Sequence, residues 1–160
     1  MKLEIEFVPT TLRYSSFHRL FSREEWNKMR GEVIEKKGRK CQICGETKGI
    51  MNLDPVWSYD DEKHVQKLEG FILLCETCHY TKHLDIAETL ADRGMLDYEK
   101  LVEHFCKVNN CSREEFEESK AKAFETWERR SQYKWKRDFG KYGLKRKKAE
   151  LTQTLTQVVD

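Results

Sequence analysis

Two cysteine pairs, Cys41-x-x-Cys44 and Cys75-x-x-Cys78, constrain this 160-residue chain more than any other feature. Two residues between cysteines let a tight turn aim both thiolates at one ion, and two such turns complete a closed tetrahedral zinc site. The thirty residues between the pairs leave room for a hairpin and a loop. Two redox pairs are the other reading, but no βαβ pattern surrounds them. Structural Zn2+ is therefore the expected cofactor, held by Cys41, Cys44, Cys75 and Cys78. Sites of this kind contribute on the order of 10 kcal/mol to folding in small peptides. The chain has use for it: 38% hydrophobic residues against 36% charged is a lean supply for a core. The apolar run "GFILLC" is far too short for a bilayer, and "MKLEIEFVPT" carries no export signal. A cytoplasmic protein with no membrane partner is expected, in a reducing compartment where cysteines read as ligands or core residues. Cys106 and Cys111, without ligand spacing, are expected to be ordinary core residues.

Around the cysteines the pattern predicts an α+β chain. "LEIEFV" alternates like a short strand ended by Pro9. "FSREEWNKMRGEVIEKKG" predicts a helix, with Ser22 and Glu25 as a capping box, Gly38 as its stop, and Trp26, Met29, Val33 and Ile34 on one stripe. Pro55 excludes a long helix through its own position, and the residues between the cysteine pairs suit short strands around a polar loop. One helix is expected through "TKHLDIAETLADRG" to about Gly94. Another follows the Asp97 cap, with Tyr98, Leu101, Val102 and Phe105 on one face. A long helix opens at the Ser112–Glu115 capping box and is expected to run to Gly140 and Gly143. Four segments follow from this: 1–38, a strand and helix; 39–94, a zinc module; 95–148, a helical region with a basic, aromatic-rich end; and 149–160, a tail.

A CxxC, a strand, a polar loop, then an apolar strand entering "LLCETCHYTKH" and a helix resembles the zinc-containing HNH endonucleases of the ββα-metal fold. The likeness is best over residues 39–84. It implies a small ββα module flanked by a leading helix and several trailing ones. It also implies phosphodiester hydrolysis on DNA with a catalytic divalent cation, Mg2+ or Mn2+. In that family the His after the second CxxC binds the cation, a first-strand His activates water, and a loop Asn orients that base. His79 matches the metal-binding His, and His83 lies one helical turn later on the same face. Asp54 stands where the first-strand His belongs, and Gly70 where the loop Asn belongs. An imidazole with a pKa of about 6.5 suits a base near neutrality, whereas a carboxylate near 4 does not. Three arrangements fit these letters. Asp54, His79 and His83 together hold the cation; or His64, in "SYDDEKH", swings in as the base; or the site is degenerate and only the fold and its nucleic-acid surface remain.

The formal net charge of +2 hides an asymmetry: residues 127–148 carry +8, the last twelve residues −2, and residues 1–126 the remaining −4. Within "WERRSQYKWKRDFGKYGLKRKK", aromatic residues interleave with Arg129, Arg130, Lys134, Lys136, Arg137, Lys141, Lys145, Arg146, Lys147 and Lys148. Such a segment suits phosphate contacts with base stacking, Trp135 included, and equally a solvated helix face. Trp127 and Trp57 are expected in the core, Trp57 against the zinc module. Three functions remain open: a metal-dependent HNH-type nuclease acting on DNA, a non-catalytic nucleic-acid-binding protein of the same fold, and a zinc-stabilised module whose partner is a protein.

Overall fold

The computed structural model describes residues 1–12 and 20–143. Lys145, Arg146, Lys147, Lys148 and the expected 149–160 tail lie outside the described residues.

Its centre is a long hairpin, β1 (Met51–Asp60) and β2 (Val65–Cys75), paired antiparallel from Met51↔Cys75 to Asp60↔Val65. The expected short strands are thus ten and eleven residues long. Pro55 is accommodated because β1 is an edge strand, where a missing N–H breaks no ladder. The register slips between Val56 and Trp57, leaving Glu69 as an extra residue on β2. At the tip, Asp60 Oδ1 accepts from the N–H groups of Glu62 (3.1 Å) and Lys63 (2.9 Å), a side-chain-closed turn.

The leading helix α1 (Arg23–Lys37) carries the expected capping box and closes at Gly38, whose φ of 80° suits a residue without Cβ. After β2 the chain turns into α2 (Glu76–Lys82) and α3 (Leu84–Asp92). Here one continuous helix was expected. The break falls at His83 (φ −106°, ψ 63°), where no glycine or proline marks it. His83 is instead drawn to Asp54 while Leu84 is fully buried, a tertiary demand with no local signal. α4 (Tyr98–Asn109) buries Leu101, Val102 and Phe105 behind its Asp97 cap, and α5 (Arg113–Arg130) starts at the Ser112–Glu115 box.

Two expectations fail at the ends of the chain. "LEIEFV" forms no strand; Asn109 holds its start instead, accepting from the Lys2 (2.9 Å) and Leu3 (3.0 Å) N–H groups and donating to the Leu3 carbonyl (2.9 Å). α5 stops at Arg130, ten residues before Gly140, because Trp135 folds back and its Nε1 donates to the Arg130 carbonyl at 2.7 Å. The next residues add β3 (Lys136–Asp138), parallel to β2.

Two apolar clusters result. One joins Leu73 and Leu74 to Leu84, Phe105 and Phe116 beside the cysteines; the other joins Phe21, Met29, Leu53, Leu68 and Phe139 on the α1 side. Trp57 packs with the second cluster, 6.3 Å from Phe139, rather than against the zinc module. Cys106 and Cys111 are half-buried at the end of α4, flanking the first. No helix among the described residues is long and apolar enough to cross a membrane.

Candidate metal centre

The hairpin's base brings Cys41, Cys44, Cys75 and Cys78 together, with sulfur atoms all within 4.8 Å of one another. Local turns aim them. Gly45, at φ 82°, lets its N–H reach the Cys41 carbonyl (2.9 Å), and Gln42 N–H fastens that knuckle to the Leu73 carbonyl (2.9 Å). Cys75 caps α2, its sulfur accepting from the Cys78 N–H at 3.4 Å. The Cys44 and Cys75 sulfurs are 3.6 Å apart, close to the roughly 3.8 Å edge of a tetrahedron with 2.3 Å Zn–S bonds. Hydrogen bonds from Cys75 and Cys78 hold Cys41 as the thiolate, while that sharing pushes Cys75 up to about 12 and raises Cys78 too. Four sulfur atoms at this spacing fit around one cation, which would hold all of them as thiolates, so the cluster is compatible with structural zinc.

His104, not singled out by the sequence, lies against the cluster with Nε2 3.1 Å from the Cys78 sulfur. Burial lowers its pKa, which keeps the imidazole neutral. Against a metal-bound thiolate, which has no proton, that nitrogen must be the donor. The available signal was its place beside Phe105, on the flank of the buried stripe of α4.

A second group lies between β1 and α2. Asp54, only 3% exposed, points one oxygen at two imidazoles: Oδ1 is 2.9 Å from His83 Nε2 and 3.6 Å from His79 Nε2. These donors also lie within 4.8 Å of one another. The other oxygen accepts from Lys82 Nζ at 2.5 Å. Lys82 also reaches Glu6 Oε2 at 3.1 Å. Burial alone would raise the Asp54 pKa, but the His83 hydrogen bond and the charges of His83 and Lys82 outweigh it and hold the carboxyl at about 2. Burial would likewise lower Lys82, yet the carboxylates of Glu6 and Asp54 raise it. Asp54 is therefore ionised and Lys82 charged throughout the neutral range. Neither Lys82 nor Glu6 was anticipated; a lysine between two histidines on one helical turn was the only hint.

His64 is elsewhere. It sits at the hairpin tip, six residues of β1 and about 20 Å from Asp54. Its ring stacks on Tyr133 (centroids 4.2 Å, 12° apart) and its carbonyl accepts from the Lys136 N–H. It is not placed to be the base of this site. Gly70 lies within β2 opposite Val56, so no loop stands where an orienting Asn was expected.

The basic segment is divided by burial. Trp135 is 6% exposed and Phe139 4%, so neither ring can stack on a base. Arg130 grips Asp61 through Nε (2.7 Å) and Nη2 (2.9 Å) and covers the Tyr59 ring. Arg137 donates to Gln66 Oε1 at 2.8 Å and lies over Trp57. Arg129, Lys134, Lys136 and Lys141 are exposed. Trp127, expected in the core, is half-buried and lies 5.2 Å from Phe124, itself half exposed. Trp135, left open by the sequence between stacking and a helix face, is the buried one of the two, because α5 ends before it and the chain folds back.

No family model matches the chain, and no curated protein or solved structure matches it.

Proposed function

We propose that the protein is an HNH-type, metal-dependent endonuclease-like protein acting on DNA by phosphodiester hydrolysis. The observation that carries this reading is the convergence of Asp54, His79 and His83 beside a four-thiol knuckle, on a hairpin followed directly by a helix. The separations of 2.9 and 3.6 Å from Asp54 Oδ1 to the imidazoles bracket the roughly 3 Å expected between adjacent ligands of one cation. One carboxylate oxygen with two imidazole nitrogens suits Mn2+ or a later transition metal better than Mg2+. A cation held there supplies Lewis acidity toward a phosphoryl oxygen and a water of lowered pKa. The chain's own part is to fix Asp54 as a carboxylate, to place both imidazoles on one helical turn, and to offer phosphate contacts through Lys134, Lys136, Lys141 and Arg129. Zinc at the four cysteines has a structural role only, since a closed site has no open position.

A second reading is a nucleic-acid-binding protein without catalysis. It is favoured by the Lys82 ammonium on Asp54, in a site whose imidazoles among the described residues are the two candidate ligands His79 and His83. Cleavage of supercoiled, linear and single-stranded DNA with Mg2+, Mn2+, Ni2+ or EDTA tests the choice, with His79→Ala prepared in parallel. Metal-dependent cutting lost in the variant is the expected result. Salt-dependent DNA binding without cutting would favour the second reading, and no DNA binding at all would remove both.

A further inference from the structure

Lys82 poses an electrostatic problem for any cation beside it. Its ammonium sits 2.5 Å from Asp54 Oδ2 and 15% exposed, on the carboxylate whose other oxygen faces the imidazoles. A divalent ion on the imidazole side would lie about 5 Å from that ammonium. Even at the dielectric constant of water, their repulsion amounts to roughly tenfold in affinity.

Glu6 answers that charge. Its Oε2 lies 3.1 Å from Lys82 Nζ, and its backbone N–H donates to the Lys82 carbonyl at 2.9 Å. The other oxygen, Oε1, accepts from Tyr59 OH at 2.9 Å. Tyr59 in turn accepts from Gln66 Nε2 (2.9 Å), and the fully buried Gln66 accepts from Arg137 Nε (2.8 Å). A line of hydrogen bonds from β3 thus fixes one carboxylate of the N-terminal segment against α2. With Glu6, these side chains count two carboxylates against one ammonium, a net negative charge apart from the imidazoles. Without it, the cluster is neutral and the ammonium has only Asp54 to pair with.

We propose that Glu6 sets the affinity of the Asp54–His79–His83 centre for a divalent cation by offsetting the charge of the Lys82 ammonium, which it shares with Asp54. The inference rests on the reading that these three residues hold a cation. It makes the N-terminal segment part of the centre, as the source of the charge that lets a cation and a lysine share one carboxylate.

The test is Mn2+ affinity of the zinc-loaded full chain, read from the EPR signal of free Mn2+, for wild type, Glu6→Gln, Lys82→Met, the double variant and Asp54→Asn. Hard Mn2+ leaves the thiolate-bound zinc in place. Glu6→Gln should weaken binding by roughly tenfold or more, and Lys82→Met should tighten it. The double variant restores the wild-type net charge and should return to within about threefold of wild type. Equal affinity of Glu6→Gln and wild type overturns the inference while leaving the cation centre standing. Wild type that binds Mn2+ no better than Asp54→Asn removes the centre and the inference with it. If Lys82→Met loses zinc or helical signal, the conservative and partly exposed Glu6→Gln decides alone.

Discussion

The Cys78 sulfur lies 3.1 Å from His104 Nε2, a contact that ties α4 to the thiol cluster across 26 residues of sequence. A hydrogen bond to a metal-bound thiolate stabilises its charge and fixes its direction. His104→Leu should therefore lower zinc affinity by about 10- to 100-fold with the four cysteines intact. Competition with a chromophoric chelator measures this. An unchanged zinc affinity would mean that the contact is only packing.

Removal of a ligand should be more severe. Cys44→Ser is expected to abolish the bound zinc, counted as one ion per chain by elemental analysis, and to broaden or eliminate cooperative thermal unfolding. A strong chelator added to wild type should do the same, because a structural zinc in such a cluster would contribute binding free energy on the order of 10 kcal/mol to folding. Full cooperativity after zinc removal would show that the apolar clusters suffice.

Asp54 should give an acid-sensitive contribution to stability. Its folded pKa of about 2 lies below the ordinary aspartate value of 3.8, so the contribution is fully present above pH 4 and lost as pH falls through about 2. The shift corresponds to about 2 kcal/mol. The stability difference between wild type and Asp54→Asn should shrink between pH 5 and pH 2. Acid release of zinc affects both proteins and cancels in that difference. A constant gap across the range would count against the Lys82 and His83 interactions.

Asn109 replaces the sheet partner that the N-terminal segment lacks. Asn109→Ala leaves the Leu3 N–H and carbonyl without their partner beside a fully buried side chain. A loss of about 2 kcal/mol is expected from chemical denaturation, together with faster amide exchange over residues 2–6. Unchanged exchange there would place the anchor elsewhere.

The exposed and buried parts of the basic segment should separate in DNA binding. Lys134→Ala, Lys136→Ala and Lys141→Ala together should reduce the slope of log affinity against log salt by roughly 2 to 3. Trp135→Phe should cost stability and leave that slope unchanged, because the ring is buried. A slope altered by Trp135→Phe and not by the lysines would reverse the assignment.

Much of the plan was legible because its signals are local. Ser22 with Glu25 and Ser112 with Glu115 mark helix starts through bonds spanning three residues, and both boxes form. The CxxC spacing aims its thiolates within a single turn, so the four-cysteine cluster follows from the letters. The placement of Asp54 opposite His79 and His83 required the strand-to-helix order that the resemblance supplied.

What failed depends on contacts that no local pattern announces. "LEIEFV" alternates like a strand, but among the described residues its backbone pairs with the Asn109 side chain and the Lys82 carbonyl and not with a strand. His83 breaks a helix that its neighbours would continue, and Trp135 ends α5 by folding onto it. One alternative had His64 swing in from the loop as the base, and the length of β1 carries it away.

The sequence by itself determined the knuckles, the caps and the polarity of the hairpin-to-helix unit, since each arises from interactions within a few residues. Only the tertiary structure decided the charges around Asp54. Glu6, Asp54 and Lys82 are far apart in the chain, and their energies depend on distance and burial, which no spacing encodes.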